Sequence, residues 1–198
     1  MTLVLSTSPG FGRHGSVPER LAETGWKLVR CLDPDLDDGG VSRRIADADF
    51  LVVGLHPVTA ETLAGAGRLK GVLKHGVGVD NIDVAACTAR GVPVLNAPGA
   101  NAVSVAELAV GLMFALARNI PAGHACVTAG RWVRQPGTEI TGKTLGIVGL
   151  GNIGRTLAQK ALGLGMTVVA TELHPDQAFV AAHGIELLPL DELLVRSD

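Results

Sequence analysis

Short apolar runs recur along the first half of the chain, each followed by a longer stretch in which apolar and polar positions mix. Leu3-Val4-Leu5, Lys27 to Cys31, Phe50 to Val53, Gly71 to Leu73 and Val92 to Leu95 have the length and branched-residue content of strands buried on both faces. The stretches between them, Val17 to Thr24, Val41 to Ala46, Thr59 to Ala66 and Asn81 to Thr88, are predicted helices. Strand alternating with helix five times over predicts a small parallel α/β domain ending near Pro98, with strand order 2-1-3-4-5. The 26 glycines are spread between these runs and do not form a linker, which suits many short strand-to-helix turns.

The pattern then changes. Asn101-Ala102-Val103-Ser104-Val105-Ala106-Glu107 opens a long apolar-rich helix, and the Ser104 to Glu107 spacing matches a capping box. A cap contributes only about 1 kcal/mol, so packing has to hold this helix, and Leu108, Leu112, Leu116 and neighbouring small residues are expected to form its packing face. Between Gly123 and Gly142 lies a polar connection containing Arg131, Trp132, Arg134 and Pro136. It reads either as an interdomain or intersubunit connection or as a cover over substrate.

Thr144 to Val148 is a strand that runs straight into Gly149-Leu150-Gly151-Asn152-Ile153-Gly154, with a helix predicted over Arg155 to Leu162. A glycine motif alone is weak, but here strand, turn and helix follow in the required order. In such a turn Gly149 permits the tight bend, Gly151 lets the backbone approach a diphosphate, and Gly154 lets the helix pack on the strand. The amides that open the helix then face the anion. A second strand, Met166 to Ala170, leads to Glu172, about 20 residues beyond Gly151, where an acid can accept from ribose hydroxyls and repel a ribose phosphate. NAD is therefore favoured over NADP.

Composition narrows the partners. Hydrophobic residues are 47% and charged residues 18% of the 198, which fits a globular protein with a sizeable core. Seventeen basic against nineteen acidic residues, with no basic cluster, give no electrostatic case for nucleic acid or an anionic membrane as partner. The start lacks a basic leader and long apolar segment, and Val105 to Leu116 is short for a membrane span. Cys31, Cys87 and Cys126 lie far apart without ligand spacing, so they read as ordinary thiols of a reducing cytoplasm and no metal site is expected.

Four stretches together resemble the D-isomer-specific 2-hydroxyacid dehydrogenase family, whose members include phosphoglycerate, lactate, glycerate and formate dehydrogenases. They are Lys74 to Asp83, Pro98 to Glu107, Thr144 to Gly154, and the strand-end Glu172. The resemblance implies a flavodoxin-like N-terminal parallel-sheet domain over residues 1–98, the substrate or catalytic domain, followed over 99–198 by the first part of a Rossmann-type NAD-binding domain. It implies reversible hydride transfer between NAD and a D-2-hydroxy acid, giving a 2-oxo acid. It also implies that the amides of Val77 and Gly78 hold the substrate carboxylate, although glycines there also serve simply to turn the chain. His75, beside that loop, does not by itself identify a proton-transfer group. Asn101, Ser104 and Val105 would line the cofactor site with Gly149, Gly151, Asn152, Ile153, Gly154 and Glu172, while capping and packing explain the first three equally well. A homodimer through the second domain is a further implication.

The sequence also departs from the family. The family's substrate-polarising arginine and its histidine with an assisting carboxylate come after further strands, whereas this chain closes on Leu193-Leu194-Val195-Arg196-Ser197-Asp198. That ending resembles the helix and turn before the cofactor domain's third strand. None of Arg131, Arg134 and Arg196 and none of the six histidines lies in those motifs, so no catalytic residue is identifiable. The expectation is a truncated, incomplete Rossmann domain and a chain inactive by itself; the alternative is a noncatalytic NAD-binding regulatory or assembly module.

Overall fold

The computed structural model describes residues 1–13, 15–31 and 38–198, with backbone only at 38–40. They form two compact units, Met1–Ala100 and Asn101–Asp198.

In the first unit five strands make one sheet: β1 (Leu3–Ser6), β2 (Lys27–Arg30), β3 (Phe50–Val53), β4 (Gly71–Lys74) and β5 (Val94–Leu95). The order is β2-β1-β3-β4-β5 and every pairing is parallel, the order expected from the alternation of strands and helices. Helices α1 (Val17–Thr24), α2 (Asp38–Ile45), α3 (Ala60–Ala64) and α4 (Val84–Ala89) fill the crossovers. Leu5, Leu51, Val53 and Val72 of the sheet pack with Val41 and Ile45 of α2, Leu63 of α3 and Cys87 of α4 in one buried core. At the edge of the sheet where β1 and β3 begin, buried Asp49 accepts from the Leu3 amide at 2.9 Å and pairs with Lys70 at 2.9 Å. The Leu3 bond first, and Lys70 second, hold its carboxyl down at about 2.

The helix expected over Asn81 to Thr88 begins later, at Val84. Asp83 is its cap, accepting from Ala86 N at 2.8 Å, and this frees the residues between β4 and Asp83 to form a loop. Thr59 and Thr62 cap α3 reciprocally, each hydroxyl taking the other residue's amide at 3.2 Å.

The second unit opens with α5 (Ala102–Ala117) and α6 (Ile120–Thr128), followed by β6 (Thr144–Val148), α7 (Asn152–Gly163), β7 (Thr167–Thr171), α8 (Gln177–His183), β8 (Glu186–Leu187) and α9 (Leu190–Arg196). Its sheet is parallel with order β6-β7-β8. Ile147, Val168 and Ala170 pack with Ala158 and Ala161 of α7 to form the core.

Four expectations need correction here. Ser104 does not cap α5: the helix starts earlier, Asn101 occupies the cap position without a side-chain bond, and Ser104 sits inside the first turn. Glu107 instead pairs with Lys160 of α7 at 3.1 Å. Of the expected packing face only the small residues are inward: Ala102 and Ala106 are buried, while Leu108, Leu112 and Leu116 are 62%, 60% and 82% exposed. A helix apolar all round carries no stripe from which its inner face can be read, and the small alanines win because they let α5 and α7 approach closely. The connection expected from Gly123 is helical as far as Thr128. Finally, the third strand of this sheet is already present as β8, with α9 after it; two residues, one of them Glu186, make too short a run to be read from hydrophobicity.

Among the described residues no single helix is long and apolar enough to cross a membrane; α5 and α6 pass together by length and composition only, across a 63° bend.

Candidate functional site

The glycine turn sits where β6 meets α7. Gly149 has φ +93°, a conformation that side chains with a Cβ rarely adopt, and its amide closes the ladder onto Thr171 O of β7 at 2.9 Å. A Cβ on Gly154 would run into the Gly149 carbonyl oxygen, so only glycine lets α7 start across the turn. Gly151 differs from both: its φ is −74° and nothing lies within 4 Å of where its Cβ would be. The space beside Gly151 is therefore open to a ligand. The first amides of α7, at Asn152 and Ile153, have no carbonyl one turn back to bond, so they and the helix's positive end are available to an anion. Arg155 is committed elsewhere, to Asp176 at 2.8 Å and the Asn152 side chain at 3.1 Å.

Glu172 follows β7 directly and faces the turn. Its Oε2 accepts from Leu150 N at 2.8 Å, inside the glycine motif, and its Oε1 accepts from His174 N at 3.1 Å. The His174 amide, and next the Leu150 amide, hold its carboxyl below the usual glutamate range, so it is ionised at neutral pH. The Leu150 contact was not foreseen from the sequence, where spacing alone suggested a ribose acceptor.

Asn101, Ser104 and Val105 all lie at the start of α5, the helix packed on α7. Ser104 is exposed, Val105 half-buried. The buried Oδ1 of Asn101 has no hydrogen-bond partner among the described residues, and an orphaned acceptor of this kind is an open invitation to a donor.

In the first unit Val77 and Gly78 lie in the loop after β4, at the strands' carboxyl ends, where ligands of parallel sheets bind. The loop is anchored by its carbonyls: Ala97 N donates to Gly76 O at 3.2 Å and Asn96 Nδ2 to Val77 O at 2.7 Å. Among the described residues the amides of Val77 and Gly78 make no hydrogen bond. Asn81 braces the other side, donating to Gly54 O at 3.2 Å and His56 O at 2.7 Å and accepting from Lys74 Nζ at 2.6 Å. Lys74 Nζ also reaches Gly54 O at 2.8 Å. The exposed His75 ring bonds through Nδ1 to the Ser8 hydroxyl at 2.6 Å, tying the loop to the end of β1. Ser8, Lys74 and Asn81 were not singled out as site residues in the sequence, because partners so far apart along the chain leave no local pattern.

A parallel sheet whose first strand ends in a glycine turn, with a helix N-terminus at the turn and an acid at the end of the neighbouring strand, defines a protein of the dinucleotide-binding α/β class. More narrowly, the chain belongs to the D-isomer specific 2-hydroxyacid dehydrogenase family, whose catalytic-domain sequence model matches residues 14–182. It is 46% identical over 186 residues to the D-3-phosphoglycerate dehydrogenase of Mycobacterium tuberculosis (strain ATCC 25618 / H37Rv), an alignment covering 91% of this chain and 35% of that protein. The chain thus spans about a third of that relative's length. Among solved structures, a protein of Thermus thermophilus superposes with a TM-score of 0.86 at 30% identity, covering 100% of this chain and 63% of the other. The NAD-dependent formate dehydrogenase of Staphylococcus aureus, in complex with NAD, superposes at 0.76 and 25% identity, covering 100% and 63%.

Proposed function

We propose that this chain carries the first unit and the opening half of the NAD-binding unit of an oxidoreductase that interconverts a D-2-hydroxy acid and a 2-oxo acid. The observation that carries the reading is the open space beside Gly151, framed by the free amides of α7 and the ionised Glu172. NAD, if bound, would supply a hydride acceptor for C2 of the hydroxy acid, the hydroxyl proton passing to a base or solvent, and NADH with a proton would supply the reverse. The chain's own part is to hold and orient. Gly151, Asn152 and Ile153 hold the diphosphate with backbone amides, and Gly149 and Gly154 shape the turn that presents them. Glu172 accepts from ribose hydroxyls and disfavours a phosphorylated ribose. Asn101, Ser104 and Val105 line the same site, with the orphaned Asn101 Oδ1 available to a donor on the cofactor. In the first unit, whose strand order is of the flavodoxin-like kind, the unbonded amides of Val77 and Gly78 take the substrate carboxylate. The phosphoglycerate in one relative's name is a 2-hydroxy acid and supports the substrate class, whereas the formate in another's is not, so the names do not select one acid.

Among the described residues none is identified with the polarising arginine or proton-transfer histidine that the family resemblance implies, so the expectation is that the 198 residues by themselves bind NAD and turn over little. The exposed stripe of Leu108, Leu112 and Leu116 supports a homodimer, since so much apolar side chain on one helix is costly to leave in water. Calorimetric titration of NADH into the chain and into Gly151→Val tests the cofactor reading. A valine at this φ, in open space, leaves the fold intact, so affinity should fall at least about tenfold at an unchanged melting temperature. Equal affinity in the folded variant would count against the assignment.

A further inference from the structure

We propose that Glu172 is a positioning residue for the diphosphate turn, holding it in its binding shape through the Leu150 amide before any ribose is present. The proposal rests on the NAD reading above and goes beyond the ribose contact that an acid at this place suggests.

The geometry is that of a ladder extended by a side chain. The β6 and β7 strands pair as far as Val148 and Thr171, and Gly149 N takes the Thr171 carbonyl as the next rung. Gly149 then turns at φ +93° and Leu150, 3% exposed, buries its side chain. Its amide lies beyond the strand register, which ends at Val148 and Thr171, and bonds no backbone carbonyl among the described residues. The Glu172 carboxylate supplies that acceptor at 2.8 Å and is itself held from the other oxygen by His174 N at 3.1 Å. Both bonds are charge-assisted, so the brace is stronger than an ordinary backbone rung.

Leu150 lies between the glycine that bends the chain and the glycine beside which the ligand space opens. Fixing its peptide fixes the approach to Gly151 and the direction of the α7 amides, and a site already in its bound shape binds more tightly because less order has to be imposed. The brace also survives ribose binding, since each carboxylate oxygen has a second lone pair and can accept a hydroxyl without releasing Leu150 or His174. Glu172 therefore acts twice, once through the turn and once on the sugar, and the two effects separate with the choice of ligand.

The test uses the chain with Glu172→Gln and Glu172→Ala, titrated with ADP and with 2′,3′-dideoxy-ADP, which keeps the diphosphate and lacks both ribose hydroxyls. Glu172→Ala should weaken the dideoxy ligand by about fivefold or more, because the turn is loosened, and ADP by more still. Glu172→Gln can keep its carbonyl oxygen for Leu150 N but turns a donor nitrogen towards His174 N and loses that bond, so it should bind the dideoxy ligand more tightly than Glu172→Ala while losing ADP affinity. Hydrogen exchange of the ligand-free protein reads the brace directly: Leu150 N–H should be protected in the parent chain and in Glu172→Gln, and fast in Glu172→Ala. If Glu172→Ala binds the dideoxy ligand as well as the parent does, or if the parent's Leu150 amide exchanges as freely as an open loop, the positioning role is overturned and the NAD reading stands. If the parent chain binds neither nucleotide nor NADH, both readings fall together.

Discussion

Two turns at strand ends, one in each unit, leave backbone amides without a hydrogen bond among the described residues, and they are held in opposite ways. The loop after β4 is tied down by its carbonyls, which accept from Ala97 N and Asn96, and is braced by the neutral amide of Asn81 and the ammonium of Lys74. The turn after β6 is held by glycine geometry and by an anion, Glu172, that captures one of its amides. The first arrangement uses carbonyls to hold the loop and leaves amides over. The second spends an amide on a carboxylate and depends on a helix N-terminus for the rest. The lesson is that amides can be presented to a ligand only where other groups have already fixed the peptide planes.

Breaking each device alone sharpens the contrast. The largest effect is expected from Gly154→Ala, whose methyl would meet the Gly149 carbonyl and force the turn and α7 apart; overpacking of this kind costs roughly 1–3 kcal/mol or more. Thermal unfolding should show the second unit melting earlier and NADH binding lost with it; a variant as stable as the parent would mean that the helix start is not constrained there. Next comes Asn81→Ala, which deletes three hydrogen bonds at the β4 loop, worth about 1–3 kcal/mol, while Lys74 Nζ keeps its bond to Gly54 O. Urea denaturation should register the loss, and NADH affinity should not move if the two turns are independent.

The mildest perturbation is acid. Glu172 has its carboxyl held below the usual glutamate range of about 4.5 by two backbone amides, so the bonds it contributes are fully present above that range and are lost as pH falls through the lower folded value. The carbonyl anchors of the β4 loop, Gly76 O and Val77 O, accept from amides and involve no carboxylate; elsewhere in that unit the Asp49 bonds persist down to about pH 2. Amide shifts of Leu150 and His174 should therefore titrate together in acid, while the Ala97 amide and the Asn96 side-chain amide, which donate to carbonyls, do not follow them. Parallel movement of all four would show that the two turns are not held differently.

How far the sequence alone reaches can be judged from particular segments. Val17–Thr24 and Phe50–Val53 were readable to the residue because their apolar spacing and flanking breakers are local. The glycine turn and the strand-end acid were readable because each glycine answers a steric demand of its own neighbours. The Ser104–Glu107 pattern misled for the same reason, since a motif judged locally cannot register that Glu107 has Lys160 on another helix for a partner. Likewise, nothing within α5 distinguishes Leu108 from Ala106 as the inward residue until α7 is beside it.

What the sequence by itself determined is the order of strands and helices in the first unit, the family, and the three glycines with Glu172, all of which follow from the spacing of residues near one another along the chain. Tertiary structure alone decided which face of α5 is buried, that Asn81 and Lys74 brace the β4 loop, and that Glu172 grips Leu150. Each of those depends on a hydrogen bond or contact between residues on different elements, and its geometry of about 3 Å exists only once the strands are in register.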